Sequence, residues 1–189
     1  MNGPQPLIAL DCVAPRDRGA FMGNAVQTRE LARALDRRDD LRLALLVDPE
    51  TEQQYRQLGL RARLVRCGSR WKNKLTDQLA IARAVWRLRP ALYHKPNGQL
   101  PLVPLPGRVV VTIADVNFRR LPCSSVAYAY KNIGYHRTIH RAAAIMCISE
   151  FTRSEVHFFY PAAVGRTTVV HNGTTALPSP DDSVARTLP

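Results

Sequence analysis

The chain has 189 residues, 46% of them hydrophobic, so it can bury one full core; 27 Lys and Arg against 15 Asp and Glu give a formal charge of +12. No run of about eighteen uncharged apolar residues offers a membrane span, and the start MNGPQPLIAL lacks the charged opening and long apolar core of a secretory leader, which predicts a cytosolic protein. Cys12, Cys67, Cys123 and Cys147 form no Cys-x-x-Cys pair, which argues against zinc-ribbon and dithiol redox chemistry and for reduced thiols.

The first apolar run, LIALDCV at 7–13, reads as a strand. The loop after it, APRDRGAFMGNA, carries Gly19 and Gly23 just ahead of a helix. Glycines there let the backbone approach a ligand, and a helix N-terminus favours an anion; the alternative is that one glycine serves only the turn. The loop is not GxGxxG and is too long for the tight first turn of a dinucleotide fold. In GNAVQTRELARALDRR, Leu31 and Leu35 mark an inner helical face and Glu30, Arg33 and Arg37 an outer one. A strand follows at 42–47; Asp48 after it starts the next helix more naturally than it mimics a ribose-binding acid.

A third strand is expected at 62–66, then the helix KLTDQLAIARAVWRLRP, with Leu75, Leu79, Ala82 and Trp86 inward, Arg83 and Arg87 outward, and Pro90 as the stop. The strand at 91–94 is followed by Lys95, Pro96 and Asn97; the strand at 109–113 is followed by Asp115, the only acid between His94 and Ser149. Asp115 either orients or deprotonates a hydroxyl, or makes an Asx turn or an ion pair with Arg119 or Arg120, and the sequence leaves both open. Helices at 126–142 and 149–161, the second with Ser149 as N-cap, flank a strand at 143–148, and a last strand falls at 167–170.

This alternation predicts an α/β fold, a Rossmann-like parallel sheet with helices on both faces spanning 1–173. The proline-rich TTALPSPDDSVARTLP at 174–189 reads as a linker or frayed tail. In such sheets ligands bind beyond the carboxyl ends of the strands, which makes Gly19, Gly23, Lys95, Asn97 and Asp115 the residues to inspect. HRTIH sets His136 and His140 four apart, but Arg137 stands where a zinc protease has its glutamate, so no metal site is expected. Nucleophile-elbow and P-loop motifs are missing.

Charge is unevenly spread: Arg61 to Lys95 holds ten Lys or Arg against Asp77 alone, and 116–149 holds Arg119, Arg120, Lys131, Arg137 and Arg141 with no acid. Such asymmetry points to an anionic partner, either nucleic acid, a phosphorylated substrate or an acidic membrane surface. No RNP-like strand, helix-turn-helix or zinc finger supports nucleic acid.

Taken together, GNAVQTRELARAL, VVVTIADVNFRRLP, AAIMCISEFTRSEV and TTVVHNGTT, in that order, resemble the N-terminal half of family-4-like glycosyltransferases of the GT-B fold. The resemblance covers most of 7–175. It implies a retaining, nucleotide-sugar-dependent transferase in which this domain shapes the acceptor side of an interdomain cleft. Gly19 and Gly23 would lie near donor phosphates or acceptor, Asp115 would point into the cleft as the candidate catalytic group, and Lys95 and Asn97 would contact the acceptor. Asn172 and Gly173 would mark the junction to a partner domain. No bound cofactor is expected, because the donor-binding domain is expected to lie outside this chain, so activity of the chain alone is not. The resemblance also implies a glycan or lipid-linked acceptor, with the basic surface docking peripherally on the inner face of an anionic membrane. The chain departs from the family at Ala114, where a histidine usually precedes the aspartate; a methyl group neither hydrogen-bonds a hydroxyl nor carries a proton.

Overall fold

The structure is a computed structural model and describes residues 4–13, 23–67, 74–121 and 124–173. Its elements are β1 (Leu7–Asp11), α1 (Gly23–Asp36), β2 (Arg42–Val47), α2 (Glu52–Gln57), β3 (Arg63–Arg66), α3 (Lys74–Leu88), β4 (Leu92–Lys95), β5 (Arg108–Ile113), α4 (Ser125–Arg141), β6 (Ala144–Cys147), α5 (Glu150–Phe159) and β7 (Thr167–Val169), with single 3-10 turns at Asn117–Arg119 and Pro161–Ala163. The seven strands form at the seven apolar runs. They pair in parallel throughout, in the order β3-β2-β1-β4-β5-β6-β7.

A strand's side chains alternate between faces, so the sheet needs cover on both. On one face Leu10, Leu43, Leu45 and Val47 pack with Ala32 and Tyr55, and Leu31 and Leu35 of α1 close over them. On the other, Ala9, Tyr93, Val111, Ile113 and Ile145 pack with Ile81 and Val85 of α3, Ile139 of α4 and Val156 of α5. Local chemistry starts the helices as expected: Asp48 Oδ1 accepts the amides of Glu50 and Thr51 at 2.8 Å ahead of α2, and Ser149 Oγ caps α5 by accepting the Thr152 amide at 3.0 Å.

The expected phase of α3 is wrong. Its stripe in the core is Ile81, Ala84, Val85 and Leu88; Ala82 is buried as expected, whereas Leu79 and Trp86 are exposed, Trp86 at 52%. The helix carries two overlapping apolar stripes one residue apart. The branched and small residues fill the narrow space above the sheet, while the indole N–H finds the Pro104 carbonyl at 2.9 Å on the outside. Arg83 and Arg87 are exposed, as the sequence implies.

The strand order fixes where a site lies. From β1 the chain winds outward through β2 and β3, then returns by α3 to β4 on β1's other side. The gap between β1 and β4, at their carboxyl ends, is the topological switch point, where the loops diverge and leave a crevice.

Candidate functional site

The register sets Ile8 beside Leu92, Ala9 beside Tyr93 and Leu10 beside His94, so the next residues, Asp11 and Lys95, emerge together at the switch point. The Asp11 side chain is completely buried, and Lys95 is 16% exposed. Asp11 Oδ2 accepts from Lys95 Nζ at 2.8 Å and from the Tyr93 hydroxyl at 2.6 Å, and Oδ1 accepts the Val13 amide at 3.0 Å. A carboxylate removed from water is tolerable only when its lone pairs are satisfied in this manner. Burial, then the neighbouring Asp11 charge, pushes the Tyr93 phenol well above its ordinary range, so it serves as a donor and stays neutral.

Lys95 has three N–H donors, of which Asp11 takes one. It lines a cavity of about 50 Å³ with Asn97, with Asn24, Thr28 and Arg29 from the first turns of α1, and with Tyr55 of α2. Arg29 makes no ion pair among the described residues. Gly23 begins α1 next to the lining residue Asn24, and among the described residues a Cβ built on it meets nothing within 4 Å. Amide, hydroxyl and cationic donors thus surround one small space, an arrangement that hydrogen-bonds hydroxyl or phosphoryl oxygens. The structure brings Lys95 and Asn97 together there, whereas Gly23 precedes the lining residue Asn24 without lining the cavity itself and Gly19 lies outside the described residues.

Asp115 stands elsewhere on the same edge. It follows β5, two strands from β1, which at ordinary strand spacing is about 10 Å across the sheet. It is exposed, and its Oδ1 accepts the Asn117 amide at 3.0 Å: an Asx turn. Neither nearby arginine pairs with it. Arg119 donates to Tyr128 Oη at 2.6 Å and Asn132 Oδ1 at 2.8 Å, packed against the rings of Phe159 and Tyr160, and Arg120 grips Glu155 with two bonds at 2.5 and 2.6 Å. Ala114 is tied through its carbonyl to Thr152 Oγ1 at 2.9 Å. Asn172 and Gly173 are exposed beyond β7, at the far side of the sheet from the cavity.

Below the edge, His94 Nε2 meets Thr112 Oγ1 at 2.9 Å, and burial pushes the imidazole down to about 4. His136 and His140 stack with ring centroids 4.4 Å apart, and among the described residues no three His, Cys, Asp or Glu side chains gather as a metal set would. Asp11, Tyr93, Arg29 and Tyr55 escaped the sequence reading. The available signal was the single carboxylate closing LIALD, the same pattern that drew notice in VVVTIAD.

The profile of the glycosyl transferase 4-like domain matches residues 22–173, most of the chain and nearly all of the described fold. The chain belongs to that family. No curated protein matches it. Among solved structures, a glycosyltransferase from Rickettsia africae ESF-5 shares 11% identity and superposes with a TM-score of 0.53, over 90% of this chain and 44% of its own. At that identity the likeness is one of fold, and the chain spans less than half the length of that protein. Among the described residues, no helix is long and apolar enough to cross a membrane.

Proposed function

We propose that this family-4-like domain supplies the acceptor-binding half of an interdomain glycosyl-transfer site of the GT-B kind, with a second Rossmann-like domain binding the nucleotide sugar and the anomeric configuration retained. The observation that carries the reading is the ring of polar donors, Asn24, Arg29, Lys95 and Asn97, around the switch-point cavity of a glycosyltransferase-family fold. In this reading Lys95 and Asn97 hold acceptor hydroxyls. Asp11 holds Lys95 and is a positioning residue. Gly23 at the start of α1 lies near a phosphate of donor or acceptor, where helix polarity favours negative charge, and Gly19 is assigned the same role. Asp115, exposed and fixed by its turn, orients an acceptor hydroxyl or takes its proton. Asn172 and Gly173 lead toward the donor domain.

Rate in such a transfer comes from holding two substrates in reacting geometry and stabilising the charge that develops on the leaving diphosphate, which needs both walls of the cleft. The test is sugar transfer from nucleotide-sugar donors by this chain alone and by the chain joined to a donor-binding domain. Transfer only by the joined protein, with Lys95→Met raising the acceptor KM, supports the reading; transfer by the isolated chain contradicts it. Ala114 favours a second reading, a subunit with the fold and no chemistry. Under it the joined protein stays inactive, and Ala114→His restores transfer.

A further inference from the structure

β3 ends the sheet, and among the described residues no strand pairs with its outer side. Cys67 N donates to the Val47 carbonyl at 2.7 Å, and backbone groups two residues apart on a strand point the same way. The N–H and C=O of Arg63 and Val65 are therefore turned to β2, while those of Leu64 and Arg66 face outward from the edge. Each face of the strand carries one half-buried apolar side chain: Val65 packs with the α3 side of the core, and Leu64 packs on the opposite face with Leu58 and Leu60. On the α3 side, strand and helix enclose a groove of about 720 Å³ in which Val65, Leu79 and Ala84 lie beside Arg63, Arg83 and Arg87. Those three arginines are exposed and make no ion pair among the described residues, whereas Arg66, on the Leu64 face, is tied to Glu52, its Nε 3.4 Å from Oε2. From Arg61 to Lys95 the one acid is Asp77, so the groove is strongly positive.

An open edge invites another strand, and charge on it decides which. A second copy is repelled: two β3 strands side by side would set Arg63 and Arg66 of one against those of the other, with Arg83 and Arg87 adding to the like charge. Phosphates of nucleic acid or lipid would meet the guanidiniums and the outward amides, yet leave the Leu64 and Arg66 carbonyls without a donor. An extended acidic polypeptide answers every group. Its backbone both donates and accepts along the edge, and its side chains alternate between faces. Carboxylates at every second position then meet Arg63, Arg83 and Arg87, while apolar residues between them cover Leu64.

We propose that the β3 edge and the arginines of α3 form a docking site for an extended acidic segment of a partner protein, which joins the sheet as a further strand. The site lies two strands from β1 and stands apart from the sugar-transfer reading, because peptide binding is measured without any transfer. The probe is a fluorescein-labelled peptide alternating Glu and Val over about eight residues, its binding to the chain followed by fluorescence anisotropy. Expected are saturable binding that weakens as salt rises and no binding of the Lys–Val counterpart. Arg83→Gln with Arg87→Gln weakens binding about tenfold, as the loss of two exposed charge pairs implies. Arg108→Gln, on an exposed arginine at the start of β5 four strands away, leaves it unchanged. Only alternate residues of an added strand bond to their neighbour, so N-methylating the Glu amides and N-methylating the Val amides differ: one abolishes binding and the other spares it. All three substituted arginines are exposed, and far-UV circular dichroism checks that each variant folds. Absence of peptide binding, equal effects of the two methylated peptides, or equal sensitivity to Arg108→Gln would each overturn the proposal. So would tighter binding to duplex DNA or anionic vesicles than to the peptide, or dimers of the chain that the peptide dissociates.

Discussion

Asp11 and Asp115 each follow an apolar strand of the same parallel sheet, on the same edge, yet one is wholly buried and the other exposed. Asp11 accepts the amide two residues on and also a lysine 84 residues away and a tyrosine 82 residues away. Asp115, among the described residues, has the local amide bond without the distant partners. A carboxylate with distant partners is part of the architecture of the crevice and fixes what its neighbours present. A carboxylate held by a local turn is a free surface group with a defined direction, suited to meeting a ligand.

The difference predicts how each residue fails. Asp11→Ala leaves the Lys95 ammonium and the Tyr93 hydroxyl without their buried acceptor and lowers stability by about 3–4 kcal/mol, read by urea denaturation. Replacing the pair together, Asp11→Leu with Lys95→Met, recovers a large part of that loss, because no unmatched charge remains. If Asp11→Ala costs no more than a surface change, the buried pair is not what organises the crevice.

His94, beside the same switch point, gives a pH signature. Its folded-state pKa is held down at about 4 against an ordinary 6.5, so between those values the unfolded chain binds the extra proton. The stabilisation is complete above about 6.5 and is lost as pH falls toward about 4. His94→Gln should flatten the dependence of the urea midpoint on pH across that window, and an unchanged slope would place the acid sensitivity elsewhere.

Asp115 should show the smallest structural effect. Asp115→Ala removes one exposed turn hydrogen bond and costs about 1 kcal/mol or less, and Asp115→Asn, which keeps the acceptor oxygen, costs less still. Asn in place of Asp therefore separates turn from charge: in a chain joined to a donor domain, loss of transfer at unchanged stability assigns the role to the carboxylate.

Much of the fold was readable because the seven strands are short apolar runs bounded by charged residues, Gly or Pro, and such runs have few other uses. The phase of α3 was not, since LTDQLAIARAVW offers two stripes and only the space above the sheet selects Ile81 and Val85 over Leu79 and Trp86. Of the residues that line the cavity, Lys95 and Asn97 drew notice by their place at the end of a strand. Asp11 was missed because its meaning comes from the strand order, which sets β1 against β4 across five intervening elements, three helices and two strands. The basic character of 61–95 was plain, but the meeting of Arg63 with Arg83 and Arg87 along the free edge of the sheet exists only in three dimensions.

The switch-point cavity is the place we propose for a sugar acceptor to meet this domain. Amide NMR spectra recorded during titration with a set of mono- and disaccharides test this directly. The predicted result is shifts confined to 11–13, 24–29 and 95–97 for at least one sugar, abolished in Lys95→Met. Shifts centred on any other surface, or unchanged in that variant, would contradict it.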